Sequence, residues 1–204
     1  MKAMPISSLE RDLRDLEGDL VSRPIRISAY HDLPFAIFRY DPDKEFELRK
    51  HLRLFAFSLE HNHQRRVRFI SIAKLVWNSV SDSKARDELY KVEQLRGFEA
   101  AQTHLHSILS SPRFHPIVNE VLAGMTDLDP KNDVVFLVRA GGFAPAIYRC
   151  SVLLDELHGR TMVPVIFFYP GSADQATDLS FYNQAGTGTL GVYNYRVKVY
   201  GVHE

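Results

Sequence analysis

Two short, almost wholly apolar runs constrain this chain more than anything else in it: residues 133–138 (DVVFLV) and residues 163–169 (VPVIFFY). A strand that alternates polar and apolar residues sits half in water. An unbroken apolar run needs cover on both faces, as in the middle of a parallel sheet. Between the two lies a short Gly-containing loop, residues 139–144. A helix opened by Pro145 is expected next, with Ile147, Cys150, Leu154 and Leu157 on its apolar face and Gly159 closing it. Strand, helix and strand in this order make a parallel unit with a right-handed crossover. Pro164 belongs near the start of the second strand, where a missing N–H does least harm.

The rest of the chain repeats that grammar. Residues 33–40 (LPFAIFRY) read as a buried strand. Asp41-Pro42-Asp43 is a cap followed by a proline at the first helical position. The helix after it turns Leu48, Leu52, Phe55 and Leu59 inward and shows Lys44, Arg49, Lys50 and Arg53 on its other faces. Residues 67–72 (VRFISI) form the second strand. Residues 83–125 are helical, with Phe98, Ala101, Leu105 and Ile108 spaced three, four and three, and Ser111-Pro112 restarting a helix. Residues 127–132 (DLDPKN) are a polar turn, and residues 193–199 (YNYRVKV) alternate as a last strand at an edge. Near the start, Leu9, Leu13, Leu16 and Leu20 form one stripe of a helix ended by Arg23-Pro24. That helix packs on the domain or serves as a partner-binding arm.

The expected architecture is therefore α/β: a doubly wound, mostly parallel sheet of about five strands with a helix-rich insertion between strands 2 and 3. Residues 1–30 are an N-terminal helical segment, and residues 31–204 are a single α/β domain whose insertion covers roughly 83–126.

Composition removes several function classes. Lys plus Arg number 25 and Asp plus Glu number 25, so the global basic excess of a dedicated DNA binder is missing. One cysteine, Cys150, allows neither an internal disulfide nor a Cys-rich zinc site. The first 20 residues carry Glu10, Arg11, Asp12, Arg14, Asp15, Glu17 and Asp19 where a signal peptide needs an apolar stretch. No run approaches the roughly 18 apolar residues of a membrane span. A cytoplasmic protein with no membrane contact is expected.

Motifs for chemistry are sparse. Residues 186–191 (GTGTLG) match G-x-G-x-x-G in letters. They follow a polar stretch and lead into a strand, the reverse of the strand-to-helix context a dinucleotide needs, so they read as a loop. No P-loop and no G-x-S-x-G elbow occurs. Cys150 reads as a packed core thiol. His104 and His106 lie two apart on a helix and point away from each other. His61 and His63, expected in a turn, lack a third ligand nearby, so no metal and no cofactor are expected. No nucleophile–base pair and no matched carboxylates emerge, and no residue is assigned a catalytic role.

Two places remain as contact sites. Open α/β sheets bind ligands at the carboxyl ends of their strands. Two loops should meet there, one with Arg139, Gly141 and Gly142, the other with Tyr169 and Gly171. The glycines admit a ligand close to the backbone, or merely make tight turns, and Arg139 can pair with an anion. The other place is the basic run ending in Arg65, Arg66 and Arg68, which suits phosphates or an acidic partner, or is a solvated helix face.

The stretches LPFAIFRYDPDKEFELRKHL, DVVFLVRAGGFAPAIYRCSVLLDEL and VPVIFFYPGS, ending in YNYRVKVY, resemble the BrxB family of bacterial BREX anti-phage systems. The likeness runs over roughly residues 30–200. It rests on the apolar strand with its glycine loop and helix, the Phe-Tyr-Pro-Gly strand end, and the tyrosine-containing strand with Arg196. The resemblance implies a component of a defence complex that pairs a DNA methyltransferase with an AAA-type ATPase and a PglZ-type phosphatase-fold protein. It implies a small non-enzymatic adaptor that touches the PglZ-type protein or the ATPase and meets DNA only indirectly. The alternatives are a nucleotide- or anion-binding regulatory subunit with a degenerate nucleotide-binding fold, a nucleic-acid-binding component, and a histidine-dependent metal hydrolase.

Overall fold

The computed structural model describes residues 7–27, 33–81, 83–114, 116–145, 147–175, 178–181 and 197–201. The GTGTLG stretch and residues 193–196 of the expected last strand lie outside them.

Five strands form a parallel sheet: β1 (Phe35–Tyr40), β2 (Arg66–Ser71), β3 (Asp133–Val138), β4 (Val165–Gln175) and β6 (Lys198–Tyr200). Their spatial order is β2-β3-β4-β1-β6, and the short β5 (Asp178–Phe181) pairs antiparallel with the end of β4. The fold is thus the α/β architecture expected, with β6 at one edge and β2 at the other.

Side-chain alternation sends each strand's residues into two apolar layers. Ala36, Phe38, Val67, Val134, Phe136, Ile166 and Phe168 face α1 (Ser8–Val21) and α2 (Glu45–His63). Phe35, Ile37, Ile70, Val135, Leu137, Val165, Phe167 and Tyr169 face the opposite layer, built from α3 (Ile72–Ser79), α5 (Phe98–Ser110), α6 (Ile117–Ala123) and α7 (Cys150–Leu157). Both faces of β3 and of residues 165–169 of β4 are covered, which is why these stretches carry almost no polar residue.

The insertion between β2 and β3 is helical, as read: α4 (Ser83–Arg96), α5 and α6, with α3 added before them. Residue 72 was expected in the strand. Instead the Ser71 hydroxyl accepts the Lys74 N–H at 3.3 Å and starts α3 at Ile72. Ser111-Pro112 does not restart a helix. The Ser111 carbonyl accepts the Phe114 N–H at 3.0 Å in a turn, and α6 opens after Pro116.

Two further boundaries move around the apolar unit. Residues 140–143 form a 3-10 turn, and α7 opens at Cys150 rather than at Pro145. The expected loop after Tyr169 is strand. β4 runs on through Pro170 and Gly171, with Tyr40 opposite Pro170. The ladder phase explains why proline is tolerated. Val165 donates its N–H towards β1, so the even-numbered residues face β3. The β3–β4 ladder ends at Leu137 opposite Phe167, so Pro170 withholds an N–H where β3 no longer runs alongside.

α1 opens with a capping box, in which Ser7 and Glu10 each accept the other's N–H at 3.2 Å. Leu9, Leu13, Leu16 and Leu20 are all buried against the sheet layer that α2 covers. Asp19, near the end of α1, accepts Tyr200 Oη at 2.6 Å and pairs with Lys198, tying the helix to edge strand β6.

A candidate contact site at the carboxyl ends of the strands

The β1–α2 junction overhangs the sheet. β1 ends at Tyr40, Asp41 accepts the Asp43 N–H at 3.0 Å to cap a 3-10 turn (Pro42–Lys44), and α2 follows at once. The first turns of α2 therefore lie over the carboxyl ends of β2, β3 and β4. A pocket of about 280 Å³ opens there, lined by Arg49, Arg53 and Arg139, with Leu48, Leu52, Phe69, Val138 and Phe168 as apolar surface.

Glu45 sets the polarity of its wall. It accepts the Tyr40 hydroxyl and the Arg49 Nε at 2.7 Å, so one of the arginines is matched by a carboxylate. The guanidinium groups of Arg53 and Arg139 have no hydrogen bond or ion pair among the described residues. Arg139 sits at φ 59°, ψ 44°, the left-handed region that L side chains rarely adopt. That turn of the backbone ends β3 and brings the Arg139 side chain to the pocket wall.

The five loop residues read from sequence part company. Arg139 lines this pocket. Gly142 lies against α3, where an added Cβ would stand 2.6 Å from the Ala73 Cα. Its lack of a side chain serves helix–turn packing. Gly141 accepts the Ala144 N–H at 3.0 Å within the 3-10 turn. Tyr169 is buried in the α3–α7 layer, on the far face of the sheet from the pocket. The Gly171 carbonyl accepts Arg39 Nη1 at 3.4 Å, and the same guanidinium donates through Nε to the Gly201 carbonyl at 2.6 Å. Arg39 thus clamps β4 to the chain after β6, a role that no motif in the sequence announces.

The basic run is largely matched by carboxylates. Arg66 donates to both Asp133 oxygens, at 3.2 and 2.6 Å, and Arg68 donates to both Asp127 oxygens, at 3.1 and 2.8 Å. Burial pushes the Asp133 carboxyl up. The Arg66 pair and the Asp129 N–H at 2.8 Å outweigh it and hold the carboxyl below its ordinary range. Arg65 is buried, donates to the Lys131 carbonyl at 3.2 Å, and leaves its Nε without a partner. Burial, with Arg23 adding like charge, pulls its pKa below the usual guanidinium value. Arg65 also lines a broader concavity of about 740 Å³ at the amino ends of the strands. Ile27 and Leu33 also line that concavity.

Other reactive groups lie outside the strand-end pocket. Cys150 is buried at the start of α7, and burial pushes its thiol well above the usual range. His61 and His63 belong to the last turn of α2, not to a turn before a strand, so their side chains diverge. His61 Nδ1 lies 3.1 Å from the Phe57 carbonyl, and His106 Nδ1 lies 2.9 Å from the Ile147 carbonyl. Among the described residues no group of His, Cys, Asp and Glu is arranged to hold a metal ion. No described helix is long and apolar enough to cross a membrane.

Comparison with known proteins places the chain. The family model described as BREX protein BrxB matches residues 68–198, from within β2 to the first residue of β6. A protein named BREX protein BrxB from Bacillus cereus (strain H3081.97) is 26% identical over 145 residues, 71% of this chain and 73% of the relative. No solved structure matches. The family model covers more than half of the chain, including all of β3 and β4, and the chain belongs to the BrxB family of BREX proteins.

Proposed function

We propose that the chain is a non-catalytic adaptor of a BREX anti-phage complex, working in the cytoplasm and contacting the PglZ-type protein, the AAA-type ATPase, or both. Family membership carries this reading. The surface supports it. Phe46, Leu54, Phe57, Phe69, Trp77, Tyr90, Leu95 and Phe98 are large apolar side chains left in water, more than scattered exposure accounts for. The polar groups around the strand ends also favour a scaffold over a reaction centre. Tyr40, Glu45 and Arg49 bind one another, and the lone thiol is buried. Methyltransferase and DNA are reached through the partners. The test is co-expression of the tagged chain with the other proteins of its system, followed by size-exclusion chromatography. Stable co-elution with the PglZ-type protein or the ATPase is expected, and elution alone at gentle salt rejects the reading.

A second reading is an anion- or nucleotide-binding regulatory subunit. Arg53 and Arg139 at the pocket favour it, since unmatched guanidinium groups beside apolar surface suit a phosphate-bearing ligand. Thermal shift against a nucleotide panel decides it. A melting curve that does not move at millimolar ligand removes it.

A further inference from the structure

The inward face of α2 follows from its leucines; its outward face does not follow from solubility. Phe46, Leu54 and Phe57 are 74, 69 and 59% exposed, although each has a large apolar side chain. They stand at the middle of the water-facing side with Lys50 and Arg53 between them. Residues 46, 50, 53 and 57 are spaced four, three and four, which puts aromatic, cation, cation and aromatic along one seam. From Phe46 to Phe57 the seam is about 16 Å long, three turns of helix. Phe69 on edge strand β2, itself 41% exposed, and Arg53 line the same pocket beside it.

Local pairs keep the seam ordered without covering it. Arg49 lies over the Phe46 ring at 5.2 Å, and His61 stacks on Phe57 at 3.8 Å. Neither Lys50 nor Arg53 has a carboxylate partner among the described residues.

We propose that this face of α2 is the docking surface for an acidic, amphipathic helix of a partner protein. The inference rests on the adaptor reading and names the surface it uses. Heptad-like spacing suits a helix laid along α2, with its apolar side chains between Phe46, Leu54 and Phe57. The two cations at the centre of the seam demand carboxylates opposite them, and they select against partners that lack them. They also argue against a second copy of this chain. A two-fold contact would set Lys50 and Arg53 against their own counterparts, like charge on like charge.

The experiment uses the full chain co-expressed with the other proteins of its system. Wild type is compared with Leu54→Ser/Phe57→Ser, with Lys50→Glu/Arg53→Glu, and with Phe114→Ser in the turn after α5 as a control surface change. All five positions are solvent-exposed, so the fold tolerates the changes. For the protein that co-elutes, affinity is measured by calorimetry at low and high salt. Each double variant is expected to bind at least about tenfold more weakly, and the control within about twofold. Wild-type affinity is expected to fall with salt. If wild type binds and both double variants bind alike, this surface is wrong while the adaptor reading stands. If only the charge reversal is silent, the partner is not acidic and the proposal fails. If wild type elutes alone, both readings fail together.

Discussion

Single residues in this protein are fixed by what stands next to them. Gly142 is the clearest case, because a methyl group there meets the Ala73 backbone at 2.6 Å, and backbone cannot swing aside. Gly142→Ala is expected to lower stability by about 1–3 kcal/mol in urea unfolding, in line with other overpacking changes. Asp133 gives a pH signature. Its folded-state pKa is depressed, so its contribution is present above the unfolded carboxylate value of about 3.9 and is lost as pH falls through the lower folded value. Asp133→Asn should therefore destabilise the protein at neutral pH and flatten the loss of stability below about pH 4, as read by melting temperature across an acid series. The same pairs explain what the sequence hid. Arg65, Arg66 and Arg68 read as a basic patch because Asp127 and Asp133, about sixty positions on, are invisible to local inspection. Arg139 was legible as a strand-end residue. Its neighbours at the pocket, Arg49 and Arg53, were not, because they come from the helix after β1.

Elements were legible where one physical rule dominated. The strands β1, β3 and the start of β4 stand out because double-sided burial strips them of polar residues. Misplaced boundaries came from competing local signals. Pro145 resembles a helix start, yet α7 opens only after Arg149. Pro170-Gly171 resembles a turn, yet the strand continues because its N–H deficit faces the place where β3 has ended. The α3 helix was missed because Ser71 closes a strand and caps a helix in one residue. α1 raises a sharper question, whether it is an appendage or a structural member. Leu16 is fully buried against the sheet layer that also holds Phe38 and Phe168. Leu16→Ala should lower stability by about 2–5 kcal/mol in a single cooperative transition. Loss of α1 alone, with the sheet unfolding unchanged, would mark it as an independent arm.

On the scale of the whole molecule, two apolar layers account for the fold, and the surface left over points to partners. The family match makes the chain a member of the BrxB family. The outward face of α2 leaves aromatic and cationic side chains uncovered, which supports the proposed docking surface. The central claim is assembly, and the most direct measurement is size-exclusion chromatography of the tagged chain co-expressed with every other protein of its BREX system. A stable peak containing this chain and the PglZ-type protein or the ATPase is expected, lost when Leu54 and Phe57 are changed to serine. A chain that elutes by itself at gentle salt, with all of those proteins present and folded, would contradict it.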